Sequence, residues 1–171
     1  LELARDFALG PRLKTGSDFE PLLHIYAKRG EAAFADLRGM YAFCLMGEDG
    51  RTWLARDPFG IKPLYIQGNR FASEPRALDR GPLRIDKARQ LLALNYTLGE
   101  QTVFEGVDRL PPGAVRGPAP AHLPWGPLEP PVPIGEGRAL AKLDAVLEDS
   151  VRAHQRSDVP YGLFLSGGVD S

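Results

Sequence analysis

The chain has 171 residues, of which 43% are hydrophobic and 25% charged, a balance typical of a globular protein with a hydrophobic core. Its 21 basic and 22 acidic residues leave a formal net charge of −1, and no basic block interleaves with aromatic residues, so we expect no nucleic-acid partner. No apolar stretch reaches the roughly 20 residues that cross a bilayer, so we expect no membrane partner. A single cysteine cannot form an internal disulfide, which indicates a reducing compartment, the cytoplasm.

The first predicted element is a helix that follows Ser17. Ser17 and Glu20 have the spacing of a capping box, with Ser17 as the N-cap residue. Gly30 is the predicted end of this helix, and a short second helix is predicted over residues 31–37. The helical spacing is set by four apolar residues: Phe19, Leu22, Leu23 and Tyr26.

Two apolar strands are predicted next, over residues 39–47 and 51–57. The turn between them, Glu48-Asp49-Gly50, carries an Asp-Gly hairpin signal. Alternate residues of the first strand are apolar on both faces, so we expect this strand to lie between two layers.

A second hairpin and another helix follow. Strands over residues 64–67 and 70–73 are predicted around the turn Gly68-Asn69, and Asp86 is the predicted cap of a helix that runs to about Leu94. Helices followed by hairpins indicate an α+β fold.

The composition changes between Pro111 and Pro133, where nine of the sixteen prolines lie. Such a density favours an irregular linker. We therefore divide the chain into a domain over residues 1–110, a proline-rich linker over 111–135 and the start of a second domain over 136–171. The second domain opens with a helix of about four turns, whose apolar face carries Ala139, Leu140, Leu143, Val146, Leu147 and Val151.

The last residues combine a strand, a glycine turn and a helix start. Tyr161 to Leu165 is predicted as a buried strand, and Asp170-Ser171 as the first turn of a helix. Between them, Gly167 and Gly168 allow a close approach of the backbone to an anion. An ordinary tight turn is the alternative interpretation, and the lysine of a Walker loop is absent.

The hexapeptide SGGVDS resembles the pyrophosphate loop of N-type ATP pyrophosphatases. Together with the preceding SDVPYGLFL, it resembles the start of an asparagine synthetase domain. The resemblance implies that ATP and Mg²⁺ bind in the intact enzyme, with Leu165 beside the adenine. It places six residues around the pyrophosphate: Ser166, Gly167, Gly168, Val169, Asp170 and Ser171.

The middle of the chain resembles the class II glutamine amidotransferase domain of asparagine synthetases. The matching segments, in order, are TGSDFE, LRGMYAFCLM, ARDPFGIKPLYI, FASEPRAL and TVFEGVDRLPPG. The resemblance implies a partial αββα sandwich of the N-terminal-nucleophile amidotransferase type. A linker and the first helix and strand of an α/β pyrophosphatase-loop domain would follow it.

The implied function is that of a glutamine-hydrolysing asparagine synthetase. In that family aspartate is amidated to asparagine with ATP and with ammonia from glutamine, giving glutamate, AMP and pyrophosphate. The implied partners are glutamine, aspartate and ATP, and a homodimer is compatible with the resemblance. Two alternatives stay open: a related amidotransferase that acts on another carboxylate, and an inactive fragment or interaction module.

The resemblance assigns one glutamine-binding residue and no catalytic residue to this chain. The family's nucleophile is an N-terminal cysteine, expected before Leu1, so we expect a fragment truncated at both ends. Asp18 is implied to hold the α-amino group of glutamine. The alternative is that Asp18 only places negative charge at a helix N-terminus.

The other chemically notable residues are predicted to be structural. Cys44 lies in an apolar strand, where a free cysteine acts as a small hydrophobe. Arg56 and Asp57 are interpreted as an ion pair that braces a loop. Three histidines lack metal-ligand spacing, so no metal site is predicted, and both tryptophans are expected to be packing residues: His24, His122, His154, Trp53 and Trp125.

Overall fold

The computed structural model describes residues 2–118, 130–155 and 159–168. The chain divides into two compact units, Leu1–Pro127 and Leu128–Ser171. Helices and two small sheets alternate in the first unit, so the fold is α+β, as predicted. The described helices are α1 (Glu2–Asp6), α2 (Glu20–Arg29), α3 (Ile85–Leu94) and α4 (Glu136–His154), with 3-10 helices at Gly10–Arg12, Gly30–Asp36 and Pro75–Ala77.

Helix α2 ends where the sequence predicts. Gly30 is its C-cap residue with φ 58°, and the Gly30 amide donates to the carbonyl of Tyr26. Glycine adopts this left-handed conformation without steric cost. The chain then enters the 3-10 helix Gly30–Asp36, which confirms the short helical segment predicted there.

Helix α3 begins two residues earlier than a cap at Asp86 requires, so that prediction is wrong. Arg84 is the N-cap residue and Asp86 lies within the first turn. The chain before the helix is fixed by Arg84, whose amide donates to the carbonyl of Val103 and whose Nη1 donates to the carbonyls of Thr102 and Phe104. Tertiary hydrogen bonds, not a side-chain cap, therefore set the start of α3.

The first sheet has the order β1-β2-β6 and is antiparallel. Its strands are β1 (Ala42–Met46), β2 (Thr52–Arg56) and β6 (Val115–Arg116). The hairpin between β1 and β2 is confirmed: Gly50 takes φ 78° in the turn, and the Gly47 amide donates to the carbonyl of Arg51 at 2.8 Å. Strand β6 lies inside the proline-rich segment, so the first residues of that segment belong to the first unit.

The second sheet has the order β4-β3-β5 and is also antiparallel. Its strands are β3 (Tyr65–Gln67), β4 (Arg70–Ala72) and β5 (Asp108–Arg109). The hairpin predicted around Gly68-Asn69 is confirmed, with Gly68 at φ 61°.

The main core lies between α2, the 3-10 helix Gly30–Asp36 and the first sheet. Phe34 is fully buried there, and its ring lies 5.8 Å from that of Tyr26 and 5.9 Å from that of Trp53. Trp53 is buried and its Nε1 donates to the Tyr26 hydroxyl at 2.6 Å, which confirms it as a packing residue. Trp125 lies outside the described residues.

Strand β1 differs from the expectation that both of its faces are covered. Leu45 is buried on one face, whereas Cys44 and Met46 are exposed on the other, Met46 by 74%. At the start of the strand this second face is covered: Ala42, with Leu54 of β2, packs against a second core cluster of Leu64, Ile66, Leu110 and Ala114. The expectation of two covered faces therefore holds at Ala42 and fails at Cys44 and Met46.

The segment after β2 is shaped by two adjacent charged residues. Asp57 is fully buried, and its carboxylate accepts the amides of Phe59 at 3.2 Å, Ile61 at 2.9 Å and Lys62 at 2.9 Å. Its main chain adds two longer-range bonds: the Asp57 amide donates to Tyr41, and its carbonyl accepts the amide of Gly113.

Arg56 completes the same loop from the other side. Its guanidinium donates to the carbonyls of Lys62, Leu110 and Gly60 at 2.7–2.8 Å, and burial lowers its pKa. Arg56 and Asp57 thus brace the loop, as predicted, but through backbone groups and not as an ion pair with each other. Gly60 takes φ 62°, and a Cβ there would lie 2.9 Å from Cγ of Pro112.

The second unit contains α4 and the segment over residues 159–168. Helix α4 confirms the predicted amphipathic helix and runs for 19 residues. The strand predicted over Tyr161 to Leu165 is absent: the segment has no regular secondary structure and is exposed, with Phe164 fully accessible. A strand needs a hydrogen-bonded neighbour, and the described part of this unit contains no strand that could pair with it.

Among the described residues, no helix is both long enough and apolar enough to cross a membrane.

Replacing Asp57 with alanine is expected to destabilise the first unit strongly. The change leaves three amides of a packed loop without their acceptor, at a cost of about 3 kcal/mol. Urea unfolding monitored by tryptophan fluorescence measures the difference in the free energy of unfolding. Asp79→Ala is the matched control. The side chain of Asp79 is exposed and pairs only with Arg70 among the described residues, so this substitution should lower the free energy of unfolding by less than about 1 kcal/mol. Equal losses in the two variants would contradict the role of Asp57.

Candidate functional site

The turn before helix α2 is held by the carboxylate of Glu20. This carboxylate accepts the Lys14 amide at 2.6 Å, the Thr15 amide at 2.7 Å and the Thr15 hydroxyl at 2.6 Å. The hydrogen bonds from Thr15 and Lys14 lower the pKa of Glu20 from 4.5 to about 2. Glu20 therefore stays ionised and fixes both ends of the turn.

The predicted capping box is wrong, because Glu20 is bound elsewhere. The N-cap residue of α2 is Phe19, which forms no side-chain cap. The Ser17 amide donates to the Thr15 hydroxyl at 3.2 Å, and the Ser17 hydroxyl accepts only the Phe19 amide at 3.3 Å. The same residues that resemble a capping box thus form a compact turn ahead of the helix.

Asp18 lies within this turn, between Thr15, which Glu20 binds, and Glu20 itself, the first residue of α2. Its side chain is exposed, and it has no hydrogen-bond or ion-pair partner in the described part of the chain. The Asp18 carboxylate does not cap helix α2. It is placed by a fixed turn and can accept hydrogen bonds from a cationic group of a ligand.

An apolar groove of about 220 Å³ borders the turn. Phe19 closes one end, with its ring 5.6 Å from that of Phe43 in an edge-on arrangement. The lining contains no histidine and no carboxylate. It is formed by Phe19, Leu22, Leu23, Phe43, Cys44, Leu45 and Met46.

Cys44 lies in this groove and is exposed. Partial burial of the thiol raises its pKa, so the thiol is protonated at neutral pH. Without a base in the groove, Cys44 lacks the activation that a cysteine nucleophile needs. The interpretation of Cys44 as a non-catalytic residue is kept, although it is more exposed than a small core hydrophobe.

Tyr41 contributes a buried hydroxyl with no partner in the described part of the chain. Burial, and then the Asp57 carboxylate, raise the pKa of this hydroxyl well above its usual value. It therefore remains protonated and cannot act as a base near neutral pH.

The glycine loop near the end of the chain is described as far as Gly168. Leu165, Ser166 and Gly168 are exposed, Gly167 takes φ 79°, and the Gly168 amide donates to the Ser166 hydroxyl at 3.3 Å. Apart from its two chain neighbours, no described atom lies within 4 Å of a Cβ built on Gly167. The remaining predicted ATP-binding residues, Val169, Asp170 and Ser171, lie outside the described residues.

The histidines do not come together. His24 lies on α2 with Nε2 3.7 Å from Glu20, and Nδ1 of His154 lies 2.7 Å from the carbonyl of Ser150. His122 lies outside the described residues. The described residues contain no group of three or more side chains that could hold a metal ion.

The structure also places residues together that the sequence motifs did not indicate. Thr15 and Glu20 shape the Asp18 turn, whereas the sequence pattern pairs Glu20 with Ser17 in a capping box. Arg109 and Arg116 line a second cleft, and their spacing along the chain carries no signal because they lie on different strands.

Family models match both parts of the chain. A glutamine amidotransferase domain model matches residues 1–122, and an asparagine synthase model matches residues 142–171. The match over residues 1–122 contains the Asp18 turn and both sheets. The match over residues 142–171 contains most of α4 and the glycine loop.

Several curated relatives are similar over almost the whole chain. A glutamine-hydrolyzing asparagine synthetase 1 of Bacillus subtilis (strain 168) is 35% identical over 96% of this chain and 28% of its own length. Asparagine synthetase B of Escherichia coli (strain K12), also glutamine-hydrolyzing, is 33% identical over 94% of this chain and 27% of its own length. A glutamine-hydrolyzing asparagine synthetase 2 of Arabidopsis thaliana is 30% identical over 99% of this chain. The chain spans little more than a quarter of the length of these relatives.

Glu20→Gln is expected to remove a pH-dependent part of the stability. The folded-state pKa of Glu20 is about 2 against 4.5 unperturbed, so its contribution is fully present above about pH 5. That contribution is lost as the pH falls from about 5 towards 2. Unfolding midpoints of the wild type and of Glu20→Gln should therefore differ at pH 7 and converge at pH 2–3. Glu105→Gln, at an exposed carboxylate outside the turn, is the control, and a pH-independent difference for Glu20→Gln would contradict the clamp.

Proposed function

This chain belongs to the glutamine amidotransferase domain family, and on that premise we propose that the protein containing it is a glutamine-hydrolysing asparagine synthetase. Its first unit would bind glutamine and release ammonia. The second would begin the domain in which ATP activates the aspartate carboxylate, which ammonia converts to the amide. The products would be asparagine, glutamate, AMP and pyrophosphate.

The observation that carries the proposal is the exposed, unpartnered carboxylate of Asp18 on a turn clamped by Glu20. A substrate α-ammonium group needs a fixed anion that no cation of the protein already neutralises. The hydrogen bonds of Glu20 to Lys14 and Thr15 supply the fixed position, since they hold the turn on the N-terminal side of Asp18. Helix α2 holds the other side.

We assign no part of the amide hydrolysis to Cys44. In the family the nucleophile is an N-terminal cysteine whose own α-amino group serves as the base. The thiol of Cys44 has a raised pKa and no base beside it, so it does not fit that role. The contribution of the described residues to this half-reaction is to bind and orient glutamine.

The glycine loop would bind the phosphates of ATP. Gly167 has a left-handed conformation with open space where a side chain would lie, which fits close approach of the backbone to an anion. Ser166 to Ser171 would surround the pyrophosphate and Leu165 would contact the adenine. Mg²⁺ would offset the repulsion between the phosphates and the carboxylate of Asp170.

Adenylation would supply the leaving group that the carboxylate lacks. The AMP group makes displacement by ammonia possible, and a path closed to bulk water would limit the loss of ammonia. We propose ATP and Mg²⁺ as the requirements of this half and aspartate as the acceptor.

Asp18→Asn should impair the use of glutamine and spare the use of ammonia. Loss of one charge-assisted contact to the α-ammonium group is expected to raise KM for glutamine by about tenfold or more. The measurement is asparagine formation by the whole protein with glutamine or with ammonium chloride as nitrogen donor. Asp86→Asn, at an exposed carboxylate on α3, serves as the control. Unchanged KM for glutamine in Asp18→Asn would refute the role of Asp18.

Gly167→Val should have the opposite effect. A β-branched residue at φ 79° is strained and fills the space left for the phosphates. ATP-dependent pyrophosphate release should therefore fall by orders of magnitude, while glutamine hydrolysis by the whole protein continues. Equal loss of both activities would indicate a folding defect and would count against a phosphate loop.

A further inference from the structure

The first unit contains a second, more polar cleft of about 360 Å³. It lies where β3, β5 and β6 come close, away from the turn that carries Asp18, and none of the residues assigned to glutamine or ATP lines it. Its charged lining consists of Glu100, Asp108, Arg109 and Arg116. This volume is near the lower limit of about 300 Å³ for pockets that take organic ligands, and much larger than an ion needs.

Arg109 is held in place by Thr97, and its guanidinium has a further N–H donor without an acceptor among the described residues. Its Nη2 donates to the Thr97 carbonyl at 2.7 Å and also to the Thr97 hydroxyl. Its Nε is buried and finds no acceptor among the described residues. A buried N–H without an acceptor is costly and is usually explained by a bound water or ligand.

Arg116 brings a second guanidinium to the cleft from strand β6. It is exposed and forms no hydrogen bond or ion pair in the described part of the chain. Only the short connection from Leu110 to Ala114 separates β5 from β6. The two arginines therefore reach the cleft from strands that follow each other in the chain but belong to different sheets.

The two carboxylates of the cleft differ in their availability. Asp108 pairs with Arg84 at 3.3 Å, so part of its charge is offset. Glu100 is exposed, and its side chain has no partner among the described residues. Glu100 is also a direct neighbour of Arg109, since its carbonyl accepts the Arg109 amide at 2.7 Å.

We propose that this cleft binds a free α-amino acid, at a site separate from that of the glutamine substrate. The ligand carboxylate would lie against Arg109 and Arg116, and its ammonium group against Glu100. Planar guanidinium groups suit a carboxylate because they donate in pairs, and an unpaired carboxylate suits an ammonium group. Two unpaired cationic groups and one unpaired anionic group match the charges of a zwitterion better than those of a simple anion.

The test follows the arginine Nε–H signals of the ¹⁵N-labelled chain during titration with L-glutamate, L-aspartate or glycine. The Arg109 signal, identified by its absence in Arg109→Lys, should shift in a saturable way with at least one of them. Arg116→Gln and Glu100→Gln should each weaken that binding by about tenfold or more, while the exposed Arg76→Gln leaves it unchanged. Arg116 and Glu100 are both exposed, so the fold should tolerate these two substitutions.

Two further measurements separate this site from its alternatives. Asp18→Ala should retain the shift; loss of the shift there would mean that the amino acid binds at the glutamine site, and would overturn the proposal. Acetate that binds as tightly as the amino acids, with no effect of Glu100→Gln, would reveal an anion site and would also overturn it. So would the absence of a saturable shift with all three amino acids.

Discussion

The arrangement of the first unit depends on the burial of Asp57 at the end of strand β2. Through its main chain it joins Tyr41, just before β1, to Gly113, just before β6. Through its carboxylate it orders the loop up to Lys62. A buried carboxylate is tolerated because three backbone amides replace the water that it has lost. The ends of two strands and the loop are therefore fixed by one residue.

A second carboxylate, Glu20, has the same kind of role on the surface. It binds the backbone of a turn, and the nearby Asp18 has no partner among the residues that the structure describes. Two acidic residues separated by one position thus have different roles: one holds the chain, and the other is available to a ligand. The distinction rests on geometry, because both side chains carry the same carboxylate group.

The sequence predicted those elements whose cause is local. The Asp-Gly and Gly-Asn turns specify both hairpins because glycine tolerates the left-handed conformation at Gly50 and Gly68. Helix starts were less predictable, because Glu20 and Arg84 bind groups outside their own helices. The motif indicated the position of Asp18 but not the clamp that orders its turn. The strand expected over residues 161–165 depends on a partner strand, which no local pattern can supply.

Strand β6 has a consequence for how the chain folds as it is synthesised. Leu54 of β2 pairs with Arg116, and buried Leu64 packs in one cluster with Leu110. The hairpin of β1 and β2 can form as soon as Arg56 has left the ribosome, since the pairing between these two strands is local. The third strand and the second core must wait until residue 116 emerges, and such distant pairings form slowly. During that interval the free edge of β2 is exposed to other chains, so this stage of synthesis is the one at which protection by a chaperone would matter most.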